Sequence, residues 1–199
     1  MQDFTAIILA GGKSSRMGQN KAFLPLGEDV EIVHLIKVAK QMTDKVIVVT
    51  NDFEPFQQLA LDITLVRDLR KGMGPLAGIE AGLTATATEH NLCIACDMPF
   101  ITAGAGLSIM MHAQTSDVDA TVPMIDGRRH PLFASYRTTC LPALTSLLDH
   151  DQRKIIDLLE QVHTKWLTEK DIPHMEKDIF FNMNTMEDYL WAKENRKTK

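Results

Sequence analysis

The residues best suited to chemistry fall in a few short segments. The first is LAGGKSSRMGQNK, Leu9 to Lys21, which follows an apolar run directly. Paired glycines, Gly11 and Gly12, let the backbone approach a ligand closely, and successive N–H groups in such a turn cradle phosphate oxygens. Arg16 and Lys21 add cationic donors. Two common phosphate-binding patterns do not fit. Five residues separate Gly12 from Gly18, Gln19-Asn20 precede Lys21, and Gly11 and Gly12 are adjacent. A flexible turn with solvated basic residues is the plain alternative. The second segment is RDLRKGMGPLAGIEAGL, Arg67 to Leu83. Gly72, Gly74 and Gly78 surround Pro75 at a helix start, where unpaired N–H groups and a positive dipole end favour an anion. Gly78 would let a flat base pass close to the helix; a glycine at a helix–sheet contact is the alternative. The third is Cys96-Asp97-Met98-Pro99. An Asp at a strand end suits a hard cation such as Mg²⁺, which takes one or two carboxylates plus phosphates and water. Capping of the next helix is the alternative.

Three further segments carry weaker signals. Cys93 and Cys96 stand three apart on a strand and so face opposite ways, which favours two buried structural cysteines over a redox or zinc pair. In DGRRHPLFASYR, Asp126 to Arg137, Gly127-Arg128-Arg129-His130 reads as a basic hairpin loop. It would hold an anionic second substrate or be an ordinary solvated turn. In FNMNTMEDY, Phe181 to Tyr189, Asn182 and Asn184 flank a methionine and share a face. Asn184 would orient a metal or phosphate, yet Asn184 and Thr185 are also natural helix caps before Glu187. No Ser-His-Asp or Cys-His constellation suggests covalent catalysis.

These segments need a frame. Short apolar runs at Phe4–Ala10, Val46–Val49, Ile63–Val66 and Leu92–Cys96 read as buried strands. Asp119–Pro123, Leu132–Tyr136 and a short late run, Ile179–Phe181, follow. Helical spacing links Ile32, Leu35, Ile36 and Ala39, then Leu76, Ile79, Leu83 and Ala87. Leu107, Met110 and Met111 lie on another helix, and Ile155, Ile156, Leu158 and Leu159 on a further one. Strands alternating with helices predict an α/β chain with a central, mainly parallel sheet flanked by helices, a three-layer Rossmann-like fold. Gly11, Asp68 and Asp97 each follow a strand, at the sheet edge where open α/β folds bind ligands.

The 199 residues suit one domain spanning 1–199, with a solvated, flexible tail from about Lys193 to Lys199. An apolar content of 45% supports a real core. The net charge of −5 argues against nucleic acid or an anionic membrane as partner. Three cysteines make no disulfide framework, no apolar run reaches membrane-spanning length, and the N-terminus lacks a signal-peptide pattern. A reduced, cytoplasmic compartment is the expectation.

Together the segments resemble those of the molybdenum cofactor guanylyltransferases, within the larger family of sugar-nucleotide-type nucleotidyltransferases. LAGGKSSRMGQNK is similar to the wider family's nucleotide signature. GPLAGI at Gly74–Ile79, CDMPF at Cys96–Phe100, HPLF at His130–Phe133 and FNMNT at Phe181–Thr185 are similar to the narrower family's motifs, in the expected order. Met186 departs from it, since relatives commonly have proline there. The resemblance implies transfer of GMP from GTP to the terminal phosphate of molybdenum-molybdopterin, with release of pyrophosphate and dependence on Mg²⁺. Leu9, Ala10, Gly11, Gly12 and Asp68 would then contact the nucleotide beside Gly78. Arg16 and Lys21 would hold the triphosphate, and Asp97 would bind Mg²⁺. Arg128, Arg129, His130, Asn182 and Asn184 are candidates for the acceptor side. Proteins of molybdenum insertion and recipient molybdoenzymes are implied as transient partners. Transfer of CMP to molybdopterin, transfer to a sugar phosphate, and noncatalytic nucleotide sensing remain open alternatives.

Overall fold

The computed structural model describes residues 3–11, 21–68, 70–173 and 178–196. Its frame is a sheet built on β1 (Phe4–Leu9), β4 (Val46–Val49), β5 (Thr64–Val66) and β6 (His90–Ala95), all mutually parallel in the order β6-β1-β4-β5. Every residue of β1, β4 and β6 is buried, which is why these runs are almost continuously apolar. Beyond β6 the sheet continues through β9 (Phe133–Arg137), β7 (Ala120–Ile125) and β10 (Thr164–Leu167). Strand β9 runs antiparallel to both β6 and β7, and β10 is parallel to β7. A two-residue strand, β8 (Arg128–Arg129), makes a hairpin with β7. A separate small hairpin pairs β2 (Pro25–Leu26) with β3 (Asp29–Val30).

Alternation along β1 divides the core into two layers. Ala6 and Ile8 point to the side covered by α1 (Glu31–Lys40) and α4 (Ala103–Gln114), packing with Ile32, Leu35, Ile109 and Met110. Ile7 and Leu9 point to the side covered by α3 (Pro75–Ala85), α5 (Leu141–Asp149) and α6 (Ile155–Leu159), packing with Leu76, Ile79, Leu144 and Leu158. The expected three-layer arrangement is therefore observed. A short helix, α2 (Glu54–Gln57), follows β4 and buries Phe56. The last helix, α7 (Met186–Arg196), packs Tyr189 and Ala192 against Leu24, Leu26, Phe100 and Met183 in a third, smaller cluster.

Three expectations change. Ile179–Phe181 is a turn rather than a strand; Phe181 N–H bonds back to Asp178 O at 2.9 Å, and the following Met183 N–H bonds to Asp97 O at 2.8 Å. Its apolar side chains fill the core from a loop, so an apolar run need not pair in a sheet. Strand β10 and helix α5 escaped the periodicity reading. Residues 193–196 are not part of a flexible tail. They form the last turn of α7, fastened where Arg196 meets Glu31 at 2.9 Å.

Candidate functional site

Parallel register brings several strand ends to one level. Leu9 aligns with both Val49 and Ala95, so Ala10, Thr50 and Cys96 leave the sheet side by side. The ladder runs one step further, with Ala10 N–H to Val49 O at 2.9 Å and Cys96 N–H to Leu9 O at 3.2 Å. A cleft opens there. Leu9, Ala10 and Gly11 line it from β1, Asp68 from beyond β5, and Cys96 and Asp97 from beyond β6. Gly74, Pro75 and Gly78 line it from the start of α3, with Lys21 and Leu132 closing other sides. Seven of the sequence candidates, Leu9, Ala10, Gly11, Lys21, Asp68, Gly78 and Asp97, therefore meet in one cleft. Gly12 and Arg16 lie outside the described residues.

Asp97 has the most unusual surroundings among the residues lining this cleft. One carboxylate oxygen, Oδ1, is buried without a hydrogen-bond partner among the described residues. Burial raises the carboxyl above the usual Asp range, while the Lys21 charge and a backbone hydrogen bond act in the opposite sense. Helix capping does not explain the residue, because α4 is capped by Thr102, whose hydroxyl accepts from Ala105 N–H at 3.3 Å. Among the described residues no cluster of three or more His, Cys, Asp or Glu side chains could hold a metal. A carboxylate with an unpartnered buried oxygen, completed by phosphate oxygens and water, nevertheless fits a hard divalent cation.

Lys21 sits in a single 3-10 turn, Lys21–Phe23, and its Nζ donates to Met183 O at 2.8 Å. The 181–185 segment is thus bound both to Lys21 and to the Asp97 turn. Within electrostatic reach of Asp97 is Glu31, fully buried at the start of α1 and paired with Arg196. Burial pushes Glu31 up to about 7, against the pull of Arg196. Sequence patterning missed this pair, since its partners sit at a helix start and in an apparent tail, 165 residues apart.

At Gly78 the helix–sheet alternative is realised. The residue lines the cleft, and a Cβ there would lie 3.2 Å from Leu9 Cδ2, a close helix–sheet contact. Asp68 is half-buried and accepts from Arg70 N–H at 2.9 Å through Oδ1.

The acceptor-side candidates are more dispersed, and none of them lines this cleft. Arg128 and Arg129 are exposed on β8, with Arg129 stacked 5.0 Å over Trp166. His130 stacks on Phe180 at 4.0 Å, and burial lowers its pKa. Asn182 Nδ2 donates to Phe180 O at 3.0 Å. At Asn184 the helix-cap alternative is realised in the backbone. The N–H groups of Asn184 and Thr185 donate to Asp188 Oδ2 at 2.8 and 2.7 Å, and Thr185 Oγ1 accepts from Asp188 N–H at 3.1 Å. The cysteines are free thiols; burial raises Cys93 and pushes Cys96 up to about 12, so neither is a ready nucleophile.

Comparison with known proteins places these features in context. Residues 6–165 match a family model described as "MobA-like NTP transferase domain". A protein of Carboxydothermus hydrogenoformans named "Probable molybdenum cofactor guanylyltransferase" is 37% identical over 191 residues, covering 95% of this chain and 94% of the relative. A Bacillus mycoides protein with the same name is 30% identical and covers 98% of each chain. Among solved structures, molybdopterin-guanine dinucleotide biosynthesis protein A from Archaeoglobus fulgidus superposes with a TM-score of 0.85 at 24% identity, over 98% of this chain and all of that one. The 2-C-methyl-D-erythritol 4-phosphate cytidylyltransferase from Thermus thermophilus shares the fold with a TM-score of 0.73 at 16% identity, over 98% of this chain and 100% of that one.

Proposed function

The chain belongs to the MobA-like NTP transferase family, and on that premise we propose that it moves GMP from GTP to the terminal phosphate of molybdenum-molybdopterin. The products are molybdopterin guanine dinucleotide and pyrophosphate. The observation that carries this reading is the convergence of Lys21, Asp68 and Asp97 with the Gly11 and Gly74–Gly78 backbone in one cleft. The guanylyl specificity is supported by the names of the relatives.

The chemistry asks little of a general base, because a phosphate nucleophile is already anionic at neutral pH. One oxygen of the pterin phosphate attacks the α-phosphorus of GTP, and the bond from that phosphorus to the bridging oxygen breaks as pyrophosphate leaves. The protein supplies alignment and charge neutralisation. Ala10 and Gly11 lie along the nucleotide beside Asp68 and Gly78. Lys21, with Arg16, neutralises the triphosphate and the departing pyrophosphate. Asp97 would hold Mg²⁺, which when bound would supply additional charge neutralisation at the phosphates. Arg128, Arg129, His130, Asn182 and Asn184 serve the acceptor side in this reading. A cytoplasmic location and transient contacts with molybdenum-insertion and molybdoenzyme partners belong to the same proposal. No helix among the described residues is long and apolar enough to cross a membrane.

The test is Mg²⁺-dependent pyrophosphate release with molybdenum-loaded molybdopterin, comparing GTP with CTP. Turnover with GTP alone is expected. Preference for CTP would move the protein to cytidylyl transfer. Nucleotide binding without turnover would direct attention to sugar-phosphate acceptors or to a sensing role.

A further inference from the structure

The loop that carries Asp68 into the cleft is fastened from outside it. Between β5 and α3 the chain turns through Gly72 and Gly74, whose φ angles are +82° and +80°. Glycines in that region are conformationally permissive, so such a loop loses much freedom when ordered. Arg70 supplies an anchor. Its Nε donates to Glu80 Oε2 on α3 at 2.7 Å, and its Nη1 pairs with Asp149 Oδ1 on α5 at 2.7 Å. Thr145 of α5 donates to the other Glu80 oxygen at 2.8 Å, fixing the carboxylate on both sides. With its side chain only 15% exposed, Glu80 is held away from bulk solvent, where such a pair is geometrically defined rather than a loose surface contact. The anchored residue then uses its own backbone on the site: Arg70 N–H donates to Asp68 Oδ1 at 2.9 Å, and Arg70 O accepts from Met73 N–H at 3.1 Å. Arg153 adds a second tie, to Gly72 O at 3.2 Å.

We propose that Arg70, held by Glu80 and Asp149, is a positioning residue that sets the orientation of Asp68 for nucleotide binding. The inference rests on the nucleotide-binding reading above. Arg70 does not line the cleft, so it acts through Asp68. A clamp of this kind lowers the ordering cost that ligand binding would otherwise meet.

Titration calorimetry of the full-length chain with GTP and Mg²⁺ tests it, using Arg70→Ala, Asp68→Ala and the double variant. Arg70→Ala is expected to weaken GTP binding about tenfold by misplacing Asp68. In the Asp68→Ala background the same change is expected to cost less than about twofold, because two residues acting in series are not additive. A merely structural role would lower thermal stability without that loss of additivity. If Arg70→Ala fails to fold, Glu80→Gln keeps one acceptor oxygen for Arg70, turns an amide N–H₂ toward Thr145, loses the charge, and is expected to weaken GTP binding in the same direction. Wild-type affinity in whichever of these folded variants is measured, or penalties that multiply in the double variant, would overturn the clamp while leaving the nucleotide reading intact. Failure of the wild-type chain to bind GTP would overturn both.

Discussion

Two groups of buried polar side chains at opposite ends of the central strands contrast with each other, although His90 Nδ1, at the start of β6, is also unpartnered among the described residues. At the start of β1 and β6, Thr5, Thr86 and Thr88 bond to one another at 2.7 to 3.0 Å. Asn91 Nδ2 donates to the carbonyl oxygens of Thr88, Glu89 and Tyr136 there. At the other end, Asp97 buries a carboxylate oxygen with no partner among the described residues and borders a cleft. The first arrangement spends its hydrogen-bonding capacity inside the protein, and the second keeps it for something else. A closed network favours one rigid packing, whereas an unsatisfied buried group costs stability unless a ligand completes it.

Changing Asp97 should break this contrast most severely. Asp97→Ala is expected to lower turnover about a thousandfold or more by removing charge stabilisation at the phosphates. Thermal stability should hold or rise, since a desolvated carboxylate is lost. Pyrophosphate release and a melting curve measure both, and a folded variant of normal activity would remove Asp97 from the mechanism.

Lys21→Ala comes next. In the proposed reaction it would remove a charge-assisted contact to the triphosphate, so GTP affinity should fall about tenfold to a hundredfold. Unchanged affinity by calorimetry would contradict the assigned role.

Glu31 is the intermediate case, with one oxygen on Arg196 and Oε1 unpartnered. Burial raises its carboxyl from 4.5 to about 7 in the folded chain. A raised carboxyl contributes stability that is present below the unfolded value and is lost as pH rises through the folded one. Stability should therefore fall between about pH 4.5 and 7.5, by up to about 3 kcal/mol from this group. Denaturation profiles of Glu31→Gln against pH should be flatter in that window; an unchanged slope would refute the assignment.

Thr88→Val should have the smallest effect. It opens the closed network at the far end, so a loss of about 1 kcal/mol with turnover unchanged is expected. A clear loss of activity from this variant would mean that the two ends are coupled.

Much of this was legible before the structure. The buried runs at β1, β4 and β6 read as sheet interior, because strands covered on both faces are apolar at consecutive positions. Residues directly after them had to share one edge, and Gly11, Asp68 and Asp97 do. The same logic failed at Ile179–Phe181, where apolar side chains fill the core from a turn. It also missed α7 beyond Lys193, because a polar, charged surface reads like a solvated tail whenever its buried contacts are few. The local cap at Thr185 and the helix–sheet contact at Gly78 were both visible as alternatives, and residue type could not choose between them and a ligand role.

Residue order alone determined which chemistry was on offer: a glycine-rich segment with two cations, a strand-end carboxylate, and no Ser-His-Asp or Cys-His pattern. Those properties follow from residue type and local periodicity, which act over a few positions. Tertiary structure decided which groups are left without partners. Whether Asp97 loses its hydrogen bonds, Glu31 meets Arg196, or Arg70 reaches both Glu80 and Asp149 depends on contacts between distant segments. Desolvation and ion pairing are properties of position in space, and only the folded chain brings those positions together.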